Sequence, residues 1–269
     1  MSSLLLSRIV PIVTIAFVWA QPAVMAEQAA MPKIMFSPAP GVTQAFRVQY
    51  RLRYVPDPPG APSDSLSVDY TLGVTPVREK HGYRLRLLVS DVKHADSGGM
   101  NMVVAAALML DDLPFDMLVD ERGFLTEVAD WPTLQWELQR RADALPTEWR
   151  GVARSVPDNH TAQQVAWHLA RPIEAMNFAR SYTGFATKFG ASTINWHGGL
   201  LVDVTVEPTV PKGDFAITWA LPSGAGTQRE GEGRGVIRRD GFVAPLTVAL
   251  TRDYGRTQEI HVIESIAAE

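Results

Sequence analysis

The sequence predicts a mainly β protein of the α+β class, with one strongly twisted antiparallel sheet or incomplete barrel and two mid-chain amphipathic helices on its concave face. Three observations lead to this prediction. Apolar and polar residues alternate in runs on both sides of mid-chain, glycine-containing turns separate these runs, and two central segments have helical periodicity instead. Clean alternation favours antiparallel strands with one solvated face.

The first residues are typical of a secretory signal. An arginine precedes the apolar run Ile9–Ala20, and Val24 and Ala26 then provide small residues for cleavage. A membrane anchor is the alternative, but the run contains Pro11 and is shorter than the roughly 20 residues that span a bilayer. We therefore expect residues 1–26 to be a cleaved signal peptide and expect no transmembrane span after cleavage.

Composition limits the class of protein and its compartment. The chain has 269 residues, of which 46% are hydrophobic, so it is long and apolar enough to form one large globular domain. Its net charge of -4 gives no electrostatic support for a nucleic-acid partner. It contains no cysteine, and a large bacterial periplasmic domain can fold without disulfides. We expect the protein to lie in the periplasm of a Gram-negative bacterium.

The amino-terminal part predicts a leader and three strands. Residues 27–45 are rich in proline and alanine and have no period, so we expect a flexible leader before a single β-rich domain over residues 46–269. The first strand covers 46–55, and the next two flank a turn at His81-Gly82. Their apolar face consists of Phe46, Val48, Tyr50, Leu52, Tyr54, Leu66, Val68, Tyr70, Leu72, Val74, Tyr83, Leu85, Leu87 and Val89.

The middle of the chain predicts a hairpin and two helices. Residues 114–129 form the hairpin, with Gly123 free to adopt positive φ in its turn. Asp130 is a suitable N-cap for a helix over 131–149, and a second helical pattern covers about 160–179. The apolar stripes of these helices consist of Trp131, Leu134, Leu138, Ala142, Leu145 and Trp149, and of Val165, Leu169, Ile173 and Met176.

The carboxy-terminal part returns to strands. We expect a loop or short helical turn at 180–195 and a glycine-rich connection at 222–235, with a hairpin turn at Arg239-Asp240-Gly241. The apolar faces of the remaining strands are predicted to be Leu200, Val202, Val204 and Val206, then Phe215, Ile217, Trp219 and Leu221, then Leu246, Val248 and Leu250, and finally Ile260 and Val262.

No motif in the sequence predicts catalysis, a metal or a cofactor. The chain has no cysteine nucleophile and no G-x-S-x-G, and its glycine-rich segment lacks the Lys-Ser/Thr of a phosphate loop. His160 and His168 are too far apart for the i, i+4 pair that binds zinc. The adjacent carboxylates Asp111 and Asp112 are typical of a solvated turn. We therefore predict no catalytic residue, no metal ligand and no cofactor.

The order of elements resembles that of the periplasmic lipoprotein-carrier class of LolA and LolB. A secretory signal is followed by antiparallel strands, a mid-chain pair of amphipathic helices and further strands. In that class an incomplete barrel wraps around helices and leaves an apolar cavity, so the resemblance implies such a cavity here. It covers most of the mature chain, transfers no functional residue, and departs from LolB because no lipidation cysteine is present.

The apolar face predicts binding rather than chemistry. Methionine is adaptable and suits surfaces that receive varied apolar partners, although methionine and tryptophan also simply fill cores. We expect a non-enzymatic protein that binds or carries a lipid or acyl chain; the alternatives are an envelope assembly protein with a protein partner and, less favoured, a hydrolase with dispersed residues. The predicted cavity lining is Tyr50, Tyr70, Leu72, Leu85, Leu134, Leu138, Trp149, Val165, Leu169 and Trp219.

Overall fold

The computed structural model describes residues 36–54, 65–96, 102–159, 190–196, 200–209, 214–221, 229–252 and 257–266. In this part of the chain, strands occupy most of the sequence and helices lie between β3 and β4 and after β5. The elements are β1 Gln44–Tyr54, β2 Ser65–Glu79, β3 Gly82–Asp96, α1 Met102–Leu110, β4 Phe115–Val119, β5 Leu125–Val128, α2 Trp131–Ala144, α3 Thr147–Asn159, β6 Gly190–Trp196, β7 Leu200–Pro208, β8 Phe215–Leu221, β9 Arg229–Ile237, β10 Val243–Arg252 and β11 Thr257–Ile266.

All the described strands belong to one 11-stranded antiparallel sheet with the order β5-β4-β3-β2-β1-β11-β10-β9-β8-β7-β6. Strands that follow each other in sequence are neighbours within β1–β5 and within β6–β11, and β1 pairs with β11 to join the two sets at the centre of the sheet. Within the described chain β5 and β6 end the sheet and do not pair with each other, so the sheet is open. The predicted mainly β class with an antiparallel sheet and helices is confirmed.

One face of the sheet, which we call the inner face, is apolar in both halves. In β2, β3 and β8 the predicted alternation places the same residues on it that the structure buries; Tyr54, at 46% exposure, is an exception at the end of β1, and β11 differs throughout. The apolar inner-face residues are Phe46, Val48, Tyr50, Leu52, Leu66, Val68, Tyr70, Leu72, Val74, Tyr83, Leu85, Leu87, Val89, Phe115, Met117, Val119, Val204, Val206, Phe215, Ile217, Trp219, Leu221, Leu246, Val248 and Ile263.

The predicted glycine turns are present. Gly82 connects β2 to β3 with φ of 135°, and Gly123 connects β4 to β5 with φ of 80°. A Cβ atom on Gly82 would lie 2.0 Å from the carbonyl oxygen of Val119, so only glycine fits this turn.

Helix α1 is an element that the sequence pattern did not predict. Seven of its residues are buried, including Ala105 and Ala106 at 0% exposure, and the helix contacts β2, β3, α2 and α3. A helix that is apolar on all sides has no amphipathic period, so periodicity gives no signal for it. Its small residues allow the helix to lie close to the sheet and beneath the other two helices.

The predicted helix over 131–149 is two helices, because Pro146 interrupts it. Leu145 is extended, with φ of -66° and ψ of 158°, which is the conformation favoured before a proline. Asp130 has left-handed backbone angles and makes no side-chain capping bond, although its carbonyl oxygen accepts the N–H of Leu134 at 3.1 Å. The predicted helix at 160–179 lies outside the described residues.

Three further segments differ from the sequence expectation. Part of the connection predicted at 222–235 is strand β9, and part of the loop predicted at 180–195 is strand β6. In the expected leader over 27–45, Phe36 is 4% exposed and its ring packs edge-on against Phe242, with centroids 5.2 Å apart. An aromatic anchor of this kind gives no periodic signal in the sequence.

Arg141 joins α2 to the end of α1. Its Nη1 donates to the carbonyl oxygen of Asp111 at 2.5 Å and to that of Met109 at 3.4 Å. Its Nε lies 3.4 Å from Oε1 of Glu137, which orients the guanidinium. The last carbonyls of a helix have no partner within the helix, so this side chain satisfies groups that α1 itself leaves open.

We predict that Arg141→Ala lowers the free energy of unfolding by about 1–2 kcal/mol, because hydrogen bonds from a charged donor are lost and carbonyls are left unsatisfied. Urea denaturation measures the change. Arg140→Ala is the matched control, since Arg140 also pairs with Glu137 but its side chain is 58% exposed, and its loss should change the stability much less. Equal losses in the two variants would contradict this role of Arg141.

Burial raises the pKa of the Asp111 carboxyl, and the neighbouring charge of Asp112 raises that pKa further. Ionisation is therefore less favourable in the folded chain than in the unfolded one. The penalty is absent below the ordinary aspartate pKa and grows as pH rises through the raised pKa of the folded state.

We predict that Asp111→Asn raises the melting temperature at pH 7 and that the gain disappears towards pH 3, where wild type and variant are both uncharged at this position. Thermal unfolding across this pH range measures the effect. Asp143→Asn is the control, because exposed Asp143 pairs with Arg154 at 2.6 Å and its loss should give no gain. A gain for Asp111→Asn that persists unchanged at low pH would show that the charge is not the cause.

Candidate functional site

Strand β11 faces the opposite way from the sequence expectation. Ile260 and Val262 were predicted to face the core, but Ile260 is 40% exposed and lies opposite Arg51 of β1. Glu259 and His261 occupy the inner face instead, with His261 directly opposite Tyr50. The apolar residues of β1 determine which of its faces is buried, and the pairing register then determines which residues of β11 share that face. This register outweighs the local alternation within β11.

Glu259 and His261 form a buried polar pair. Glu259 is 2% exposed and His261 is 9% exposed, and Oε1 of Glu259 lies 3.0 Å from Nε2 of His261. An ionised carboxylate can only accept, so in that state the imidazole N–H is the donor. The ring of His261 lies 4.9 Å from the ring of Tyr50, centroid to centroid. Three residues with polar atoms, Glu259, His261 and Tyr50, therefore meet at the centre of the sheet. We call them the central cluster.

The surroundings of this pair on the sheet are apolar. Glu259 lies between Leu52 of β1 and Leu250 of β10, and His261 lies between Tyr50 and Val248. Transferring a carboxylate and an imidazole into such a wall is unfavourable unless they are hydrogen-bonded. Replacing a buried ion pair by well-packed apolar residues is often neutral or stabilising, so packing alone does not account for this pair.

Strand β9 presents glycines to the inner face next to this cluster. A Cβ atom on Gly233 would lie 2.0 Å from Cζ2 of Trp219, so the indole occupies the space above the glycine. A Cβ atom on Gly231 would lie 2.6 Å from Cδ2 of Leu250. Part of the predicted glycine-rich connection is therefore a strand, and the absence of side chains at its glycines makes room for large neighbouring side chains.

The described lining residues are spread over the sheet and the helices. Tyr50 belongs to the central cluster, Tyr70 lies on β2 and Trp219 lies on β8, and all three are buried on the inner face. The residues of β2, β3 and the helical layer are also buried, and they are Leu72, Leu85, Leu134, Leu138 and Trp149. Val165 and Leu169 lie outside the described residues. A role for these ten residues in lining a cavity stays a prediction.

Sequence reasoning missed Glu259 and His261 as site residues. In the sequence T-Q-E-I-H-V-I the aliphatic positions Ile260 and Val262 are the stronger signal, and they predict the wrong face. One signal was available in the aliphatic residue Ile263. In a strand it lies on the same face as Glu259 and His261, and the structure buries it at 0% exposure. The pairing of β1 with β11 was needed to choose between the two phases.

Other site types find little support in the described chain. Among its residues no group of three or more histidine, aspartate or glutamate side chains could hold a metal ion. None of the helices in the described ranges has the length and apolar character needed to cross a membrane.

Comparisons with known proteins give no family. No protein-family model matches the sequence, and no curated protein matches it. A solved structure described as "Lipid-protein interactions in lipovitellin" is similar with a TM-score of 0.49 and 9% sequence identity. The match covers 85% of this chain and 25% of that chain, so this chain spans about a quarter of its length. The resemblance to LolA and LolB in element order stays a prediction.

We predict that Gly233→Ala destabilises the protein by about 1–3 kcal/mol, because the new methyl group would overlap the Trp219 indole and displace it. Gly151→Ala is the matched control. No atom lies within 4 Å of a Cβ placed on Gly151, an exposed residue of α3, so this change should stabilise by about 0.5–1 kcal/mol through helix propensity. Urea denaturation with tryptophan fluorescence reports both changes, and an unperturbed Gly233→Ala variant would contradict the packing described here.

Proposed function

We propose that this protein binds an apolar ligand, such as a lipid or acyl chain, without catalysing a reaction, and that it acts as a carrier. The ligand lies against the inner face of the sheet near β11, β1 and β10, with its polar end at the central cluster. The observation that carries this proposal is the buried Glu259–His261 pair in an otherwise apolar wall.

Burial of Glu259 and His261 has a free-energy cost. Removing two ionisable groups from water is unfavourable, and well-packed apolar residues at such positions are often as stable or more stable. Ligand sites differ from a pure core in one respect: they are also mainly apolar, but they contain a few converging polar groups that orient the ligand. Glu259, His261 and Tyr50 provide such groups in a wall formed by Leu52, Val248 and Leu250.

The pair alone is a poor basis for a hydrolase. A histidine beside a carboxylate resembles two members of a catalytic triad, and the third member is a nucleophile within hydrogen-bonding reach. The described residues directly opposite the pair on β1 and β10 are Tyr50, Leu52, Val248 and Leu250, and none of these is a serine, threonine or cysteine. These four neighbours provide no nucleophile of that kind, which supports a binding role for the pair.

The proposal includes export to the periplasm, which follows from the predicted signal at residues 1–26. An apolar ligand that crosses an aqueous compartment needs a protein that removes its surface from water, at about 25 cal/mol per Å² of apolar area. A carrier with an enclosed apolar face meets this need. A protein partner from the cell envelope is an alternative that predicts complexes without a bound apolar ligand.

We predict that Glu259→Gln and His261→Phe each weaken binding of long-chain fatty acids and alcohols by about tenfold or more, because a charge-assisted hydrogen bond to the polar end is lost. Displacement of N-phenyl-1-naphthylamine, a probe that fluoresces in apolar surroundings, measures the affinity. Circular dichroism establishes that the variants are folded.

Glu264→Gln is the matched control for this experiment. Glu264 lies on the same strand as Glu259, is exposed, and faces the other side of the sheet opposite Arg47. Its substitution should leave the affinity unchanged. If folded Glu259→Gln and His261→Phe proteins bind as wild type does, the central cluster is not the ligand's polar site.

A further inference from the structure

The face opposite the inner face, which we call the outer face, carries a groove across β7, β8, β9 and β10. Its volume is about 780 Å³, within the range of roughly 300–1,000 Å³ that small-ligand sites occupy. Side chains at its base are small, as at Ala220 and Ala249, whereas the outer face of β1 carries Arg47 and Arg51. The groove is therefore a local depression in a sheet face that bears long side chains elsewhere.

Two rows of side chains line the groove, and the strand register fixes both. In the first row Thr205 lies opposite Thr218, Thr218 opposite Arg234, and Arg234 opposite Thr247. Side chains directly opposite each other in neighbouring strands have Cβ atoms about 5 Å apart, so three hydroxyls and one guanidinium form a continuous polar row.

The second row adds two carboxylates. Asp203 lies opposite Ala220, Ala220 opposite Glu232, and Glu232 opposite Ala249. Arg234 and Glu232 are both exposed, lie two residues apart on one face of β9, and form no ion pair with each other in the described structure. Their polar atoms are available to a ligand, and the groove holds fixed charge of both signs.

We propose that this groove binds a neutral, polyhydroxylated ligand, namely a short oligosaccharide. Exposed Glu232 and Arg234 together carry no net charge, so neither an anion nor a cation has net electrostatic support from this pair. A sugar hydroxyl can donate to a carboxylate and accept from a guanidinium, so a neutral polyol satisfies both rows at once. The methyl groups of Ala220 and Ala249 suit the C–H surface of a sugar ring.

A peptide fits the same charges less well. Extended peptides gain affinity mainly by pairing their main chain with a free strand edge. The groove lies on strands β7 to β10, each of which is paired on both sides, so it offers side chains and no free main-chain groups. The chemistry of the lining thus favours hydroxyl groups as the ligand's contacts.

Isothermal titration calorimetry with maltohexaose, cellohexaose and chitohexaose tests the proposal on the full mature chain. We expect at least one of these saccharides to bind, and Arg234→Ala and Glu232→Ala each to weaken that binding by about tenfold or more. Arg47→Ala is the matched control, because Arg47 is an exposed arginine of the outer face outside the groove, and it should bind as wild type does.

Two calorimetric results would overturn the proposal. One is the absence of binding by the folded wild-type protein for all three saccharides at about 5 mM. The other is saccharide binding that Arg234→Ala, Glu232→Ala and Arg47→Ala all leave unchanged, which would place the ligand elsewhere. Selection of a peptide but of no saccharide from a mixed library would assign the groove to a peptide instead. Displacement of N-phenyl-1-naphthylamine by fatty acids should be unaffected in Arg234→Ala, since that ligand lies on the inner face.

Discussion

The antiparallel pairing of β1 with β11 is the constraint on which the rest of the structure depends. It joins an amino-terminal set of strands, β1 to β5, to a carboxy-terminal set, β6 to β11, in one continuous sheet. Ten residue pairs are in register along this junction, from Ala45 with Ile266 to Tyr54 with Thr257. Contacts between the two ends of the chain are entropically costly to form, so the apolar inner face must supply most of the stabilisation that holds them.

This junction also creates the central cluster. Because the register places His261 opposite Tyr50 and Glu259 opposite Leu52, two ionisable residues face inward while Ile260 faces water. The inner face therefore differs in polarity and in its covering elements from one part of the sheet to another. Near β2 and β3 it is covered by α1, whereas at β11 it contains the polar pair. We interpret the first region as a packed core and the second as the place where an apolar ligand's polar end is held.

Much of the fold could be predicted from the sequence, because alternation reports which face of a strand is buried. Strands such as β2 and β8 have this pattern in full, and the turn at Gly123 has its glycine. Pro146 was a readable break within the predicted helix at 131–149. Helix α1 could not be predicted from periodicity because it is buried on nearly all sides. Strand β9 could not be predicted from alternation because several of its inner-face positions are glycines, above which side chains of neighbouring strands pack. Glu259 and His261 required the register of a strand from the other end of the chain.

The measurement that tests the central claim most directly is native mass spectrometry of the protein purified without detergent from its native host, combined with lipid analysis of the extract. The account predicts a stoichiometric lipid or acyl species on the wild-type protein, and its reduced occupancy in folded Glu259→Gln protein. A protein that is recovered only in the ligand-free form, with no lipid in the extract, would contradict the carrier function. That result would favour a role in which another protein is the partner.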